Sequence, residues 1–142
     1  MLNISGIDAG YVIDHIKAGT CMRIYNALNL DKCEGEVAII RNARSKKYGK
    51  KDIIKIEGLV DLDLDLLGFL DDQITVNVIQ GDRIIEKKEL VLPDEVTDVA
   101  MCKNPRCITS IEQGLHQIFV LTDRDKRVYR CKYCEEKLQL DR

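Results

Sequence analysis

Tryptophan is absent from this sequence, and phenylalanine and proline occur only twice each. So little proline excludes a collagen-like or proline-rich fibrous chain. No apolar run approaches the roughly 20 residues of a membrane-spanning helix. The first residues, MLNISGIDAG, lack the basic start and apolar stretch of a secretory signal, and the expected compartment is the cytoplasm. A strongly basic balance is lacking too. Net charge is −2, with 13 basic and 17 acidic residues in 1–95 and 9 and 7 in 96–142, which argues against a nucleic-acid binder. What remains is a chain of 142 residues, 45% hydrophobic and 32% charged, enough for one ordinary or two small soluble domains with a real core.

The apolar pattern along the chain sets an element order. GYVIDHI, from Gly10 to Ile16, has the β-branched content of a strand, although its polar pair Asp14 and His15 is adjacent rather than alternating. Cys21, Ile24, Tyr25 and Leu28 form one helical stripe behind Thr20, a candidate N-cap. Strands are expected over 36–44 and 52–57, flanking the basic connector RSKKYGKK. In VDLDLDLLGFLDD alternation gives way to helical spacing, which predicts a strand that ends and a helix from about Asp63. Residues 74–79 and 83–91 read as two more strands around Gly81, which supplies the positive φ of a tight hairpin. Strand, helix, strand, strand, helix, strand, with one added hairpin strand, is the order of a ferredoxin-like α+β sandwich in residues 1–95, two helices packed on an antiparallel sheet. Residues 96–142 are expected to form a small all-β metal-binding domain.

Four of the six cysteines, Cys102, Cys107, Cys131 and Cys134, read C-x4-C, a 23-residue spacer, then C-x2-C. That spacing lets two loops each offer two thiolates to one tetrahedral Zn²⁺, with no coordination position left for water or substrate, so the site is structural. Two disulfides are the alternative, disfavoured in a reducing cytosol. The segment is too short to build much core, so the ion would supply much of its folding free energy. Cys21 and Cys33 bracket the first helix, about 18 Å apart if helical throughout, and read as free thiols.

In the first domain Asp14, His15, Lys55 and Asn77 stand within strand-like runs, with Lys87 and Lys88 on the last strand. Cations beside an amide and a carboxylate suit a phosphate, a ribose and a base edge. Composition alone favours a solvated outer sheet face, with His15 an ordinary surface histidine. Two other functions compete: a zinc ribbon that binds nucleic acid through the basic segments Arg44 to Lys51 and Arg124 to Arg130, and an enzyme with Asp14 and His15 as an acid–base pair.

GYVIDHI, GKKDIIKIE, TVNVI, CKNPRCI and CKYCE, in this order across nearly the whole chain, resemble the regulatory chain of aspartate carbamoyltransferase. The resemblance implies a noncatalytic subunit with a nucleotide-binding allosteric domain in 1–95 and a zinc domain in 96–142 that docks on the catalytic chain. It further implies a homodimer of regulatory chains, three of which link two catalytic trimers, with CTP and UTP inhibiting and ATP activating an early step of pyrimidine biosynthesis. Carried over, the nucleotide site comprises Ile4, Ile7, Asp14, His15, Lys55, Asn77, Ile79, Ile84 and Lys87. The catalytic-chain contact comprises Asn104, Arg106, Lys132, Tyr133 and Glu135. The hairpin QGDRII lacks the aromatic residue found there in the best-known members, which leaves the preference between purine and pyrimidine open. Perfect alternation would also put Asp14 and His15 on opposite faces of their strand, so a shared site requires a backbone irregularity there.

Overall fold

The computed structural model describes residues 8–58 and 60–138. It divides into two compact units, residues 1–91 and 92–142. The division falls a few residues before the expected 95/96 boundary, because the strand Glu95–Thr97 pairs within the second unit.

The first unit contains β1 (Ala9–Lys17), α1 (Cys21–Ala27), β2 (Val37–Ser45), β3 (Gly49–Glu57), α2 (Leu64–Leu70), β4 (Thr75–Gln80) and β5 (Arg83–Glu89). A short 3-10 turn, Leu30–Lys32, follows α1. The five strands form one antiparallel sheet in the order β2-β3-β1-β4-β5, the expected α+β sandwich with its added edge strand. Ile13, Ile54, Ile56 and Val76 on one sheet face share a buried cluster with Ile24 of α1 and Leu67 of α2, so both helices cover that face. The opposite face carries the residues between them. A Cβ at Gly10 would collide with the Ile56 carbonyl oxygen, so glycine is what lets β1 and β3 approach there.

Three local expectations change. The connector RSKKYGKK is mostly strand: β2 runs to Ser45 and β3 starts at Gly49, which leaves Lys46, Lys47 and Tyr48 as the turn and puts Lys50 and Lys51 in the sheet. Residues 60–63 form no strand. Val60 and Leu62 instead pack as irregular chain against the core, and Asp63 caps α2 by accepting from the Leu66 N–H at 3.0 Å. Thr20 occupies the N-cap of α1 without capping it, and its hydroxyl donates to the Lys17 carbonyl. The helix start is held from across the sheet by Asp52, a fully buried carboxylate that accepts from the N–H groups of Gly19 (2.9 Å), Cys21 (3.2 Å) and Asn42 (3.0 Å). Burial acts to raise its pKa, but the hydrogen bonds from the Asn42 N–H, the Cys21 thiol and the Gly19 and Cys21 N–H groups outweigh it and hold the carboxyl below its ordinary value. The β4–β5 turn is Gly81–Asp82, with φ 59° and 61°, the paired positive values of a type I′ hairpin.

The second unit contains β6 (Glu95–Thr97), a single helical turn α3 (Ile108–Ile111), β7 (Ile118–Asp123) and β8 (Val128–Cys131), with the strands ordered β6-β7-β8. Its core is small. Leu92, Val96, Phe119 and Tyr129 are buried along with Cys107 and Cys131, and the Tyr129 hydroxyl donates to the Pro93 carbonyl at 2.6 Å. Val120, Leu121, Val128 and Leu138 are only half-buried. None of the described helices is long and apolar enough to cross a membrane.

Candidate metal centre and sheet face

Cys102 and Cys107 lie on the loop entering α3, and Cys131 and Cys134 on the turn that ends β8. Folding brings all four Sγ atoms within 4.8 Å of one another. The Cys102–Cys134 and Cys107–Cys131 pairs stand 3.6 and 3.7 Å apart, far beyond a disulfide bond, and all four cysteines are free, as are Cys21 and Cys33. Four thiolates about 2.3 Å from a central ion would lie about 3.8 Å apart, so the arrangement fits a tetrahedral metal ion. The sulfurs are not equivalent. Burial pushes the Cys102 thiol up to about 12, whereas at Cys107 a hydrogen bond from the Thr109 side chain outweighs burial and brings the thiol down to about 7.

Side-chain and backbone bonds brace both loops. The Asn104 carbonyl accepts from the Cys107 N–H at 3.0 Å and the Ser110 hydroxyl at 2.9 Å, and its side chain accepts from the Arg106 N–H. The Gln117 side chain accepts from the Cys102 N–H at 3.0 Å. In the second loop Glu135, with φ 65°, donates its N–H to the Cys131 carbonyl, and Lys132 reaches Glu95 at 3.7 Å. Arg106, Lys132, Tyr133 and Glu135 are exposed and Asn104 is half-buried, on the two loops that the cysteines draw together. His116 stands apart from the sulfurs and pairs with Asp98 at 2.7 Å.

The outer face of the first sheet collects most of the remaining candidates. Val12 of β1 pairs with Lys55 of β3 and with Asn77 of β4, and Asn77 pairs with Lys87 of β5, which makes one row with a lysine at each end. Directly paired residues share a face, and three strand spacings put the ends of the row about 14 Å apart. On one side lies the row of Gly10, Ile79 and Ile84, with Ile79 buried and Ile84 62% exposed. On the other side Asp14 pairs with Thr75, and Thr75 in turn with Glu89. The irregularity required at Asp14 and His15 is present: the β1–β3 register shifts between Ile13 and Ile16, and His15 has φ 62°. Through it His15 Nδ1 comes within 3.2 Å of Thr75 Oγ1, beside Asp14, while Asp14 binds Lys51 Nζ at 3.0 Å. A cleft of about 370 Å³ opens there, lined by His15, Lys47, Tyr48, Gln73, Thr75 and Lys87 among others. At the centre of the lysine row, Asn77 Oδ1 is buried without a hydrogen-bond partner among the described residues, an acceptor suited to an incoming donor. Ile4 and Ile7 lie outside the described residues.

The sequence singles out neither Thr75 nor Asp52, and it places Lys51 only in the basic connector. Lys51 looked like part of a solvated loop, and only the strand register shows that it reaches Asp14. A signal for Asp52 was present, since a carboxylate opens the apolar stretch of GKKDIIKIE, but its donors, on Gly19, Cys21 and Asn42, lie 10 to 33 positions away in sequence.

Comparison with known proteins agrees with both halves of this picture. Residues 2–91 match the family model described as aspartate carbamoyltransferase regulatory chain, allosteric domain, and residues 94–142 match the metal binding domain of the same chain. The chain is 52% identical over 136 residues to the aspartate carbamoyltransferase regulatory chain of Clostridium acetobutylicum, covering 96% of this chain and 93% of that one. It is 45% identical over 139 residues to the regulatory chain of Bifidobacterium longum, covering 98% and 100%. Matching half by half an allosteric and a metal-binding domain, and near full length these relatives, the chain belongs to the aspartate carbamoyltransferase regulatory-chain family, the noncatalytic subunits of that enzyme.

Proposed function

We propose that the outer sheet face of the first unit binds nucleoside triphosphates and that the clasp of four cysteines holds Zn²⁺ and thereby shapes the surface that docks on the catalytic chain. The observation that carries the nucleotide reading is the buried, unpartnered Asn77 Oδ1 between Lys55 and Lys87, beside the bulge that gathers Asp14, His15 and Thr75. Lys55 and Lys87 neutralise phosphate charge, Asn77 and His15 supply hydrogen bonds, and Ile79 and Ile84, with Ile4 and Ile7 of the N-terminal segment, give the apolar contact a base or ribose needs. Asp14, held by Lys51, takes a ribose hydroxyl. CTP and UTP inhibit and ATP activates carbamoyl transfer, because each has a different affinity for two quaternary states, with a coupling of roughly 1–3 kcal/mol.

Asn104, Arg106, Lys132, Tyr133 and Glu135 form the docking surface. Regulatory chains dimerise and link catalytic trimers in the cytoplasm, where reduced thiols persist. Calorimetric titration of CTP and ATP into the isolated chain tests the nucleotide reading. Replacement of Lys55 by alanine should weaken binding about 10- to 150-fold, following from roughly 1.5–3 kcal/mol for a charge-assisted hydrogen bond. Unchanged affinity in that variant, or no binding by the parent chain, contradicts it.

A further inference from the structure

The metal centre has a polar contact that cysteine spacing does not announce. The Thr109 hydroxyl lies 3.1 Å from the Cys107 sulfur. A metal-bound thiolate carries no proton, so in the loaded site this hydroxyl is the donor and the sulfur the acceptor. Cys107 is 1% exposed, so water does not substitute for the donor. The other sulfurs are served differently: Cys102 by the backbone N–H of Asn104, and Cys131 by those of Cys134 and Tyr133. Cys107 alone among these three receives a side-chain hydroxyl as well as a backbone N–H, both from Thr109. Thr109 is itself fixed, since α3 begins at Ile108 and the Ser110 N–H and hydroxyl bond to the Cys107 and Asn104 carbonyls.

The geometry assigns Thr109 as a positioning residue of the metal centre, whose hydroxyl aims the Cys107 sulfur at the ion and withdraws electron density from it. This rests on the metal-binding reading of the four cysteines. A hydrogen bond to a ligating sulfur lowers its donor strength and orients its lone pairs, and loss of such outer partners typically weakens metal sites about 10- to 100-fold. Without the hydroxyl, Cys107 becomes a stronger donor but loses the contact that orients its sulfur toward the ion, and the looser geometry speeds release.

The test uses the full chain loaded with Co²⁺, whose sulfur-to-metal charge-transfer band reports thiolate donor strength. Thr109→Val should move the band to lower energy and speed loss of the ion to EDTA about 10-fold or more. Thr109→Ser, which keeps the hydroxyl, should restore both, and Thr109→Ala should behave as the valine variant if that one folds poorly. A band and release rate unchanged in the valine and alanine variants overturn the assignment, and so does a serine variant as impaired as they are, which would mark packing as the cause. Failure of the parent chain to take up Co²⁺ or Zn²⁺ would instead sink the metal reading, and the assignment with it.

Discussion

A single carboxylate organises more of the first unit than its place in the sequence suggests. Asp52 joins α1, the loop before it and the irregular stretch of β2, and its hydrogen bonds hold its pKa below the ordinary value despite complete burial. A depressed folded-state pKa contributes stability that is present above the unfolded value of about 3.9 and is lost as pH falls through the folded value. Asp52→Asn keeps the shape but not the charge, and should cost about 2–3 kcal/mol at neutral pH. Urea denaturation followed between pH 7 and pH 2 should show the acid-side fall in stability of the parent chain reduced in the variant, and parallel curves would contradict this reading. His15 shows the same dependence on backbone shape. Its identity was readable in GYVIDHI, but its reach to Thr75 depends on a φ of 62° that no local propensity signals.

At the scale of elements, apolar content recovered both helices and all five strands of the first sheet; the helices and β1 to β4 carry isoleucine, valine or leucine on a buried face, whereas the Ile84 and Ile85 that mark β5 are exposed. It failed where alternation and burial parted company. Val60 and Leu62 alternate like a strand yet pack half-buried, as irregular chain, ahead of the Asp63 cap. Lysines dominate the basic connector, which reads as loop, whereas β2 and β3 extend through it and pair up to Ser45 and Gly49, with Lys51 turned to Asp14. The β4–β5 hairpin was legible because Gly81 is the residue a positive φ calls for. Valine in place of Gly81 should cost roughly 1–2 kcal/mol for a β-branched residue forced into the left-handed region, read as a lower thermal midpoint. In the second unit, three short strands and a core built on Phe119 and Tyr129 are too little to persist without the metal clasp. Stripping the metal with a mercurial should abolish amide exchange protection at Phe119 and Tyr129 and leave it intact at Ile54 and Val76. Retained protection at Phe119 without metal would contradict that dependence.

For the whole molecule, the proposed function divides labour between two units, so that effector recognition and subunit docking should be separable. Metal removal should therefore abolish assembly with the catalytic chain, seen by light scattering after size exclusion, while CTP affinity of the first unit stays within about two-fold. The cysteine spacing made the clasp readable from sequence, since one tetrahedral ion needs little more than two paired thiolates. The proposed nucleotide face was only partly readable, because Lys55, Asn77 and Lys87 lie on three strands separated by a helix and a turn, and only strand register puts them in one row. The most direct test of the regulatory reading is the aspartate saturation curve of carbamoyl transfer by the complex reconstituted from this chain and its catalytic chain. It is measured with and without CTP, UTP and ATP. The account predicts a shift to higher aspartate with CTP or UTP and to lower aspartate with ATP, by roughly 5- to 150-fold in effective affinity. Superimposable curves from a complex shown to be assembled would contradict it.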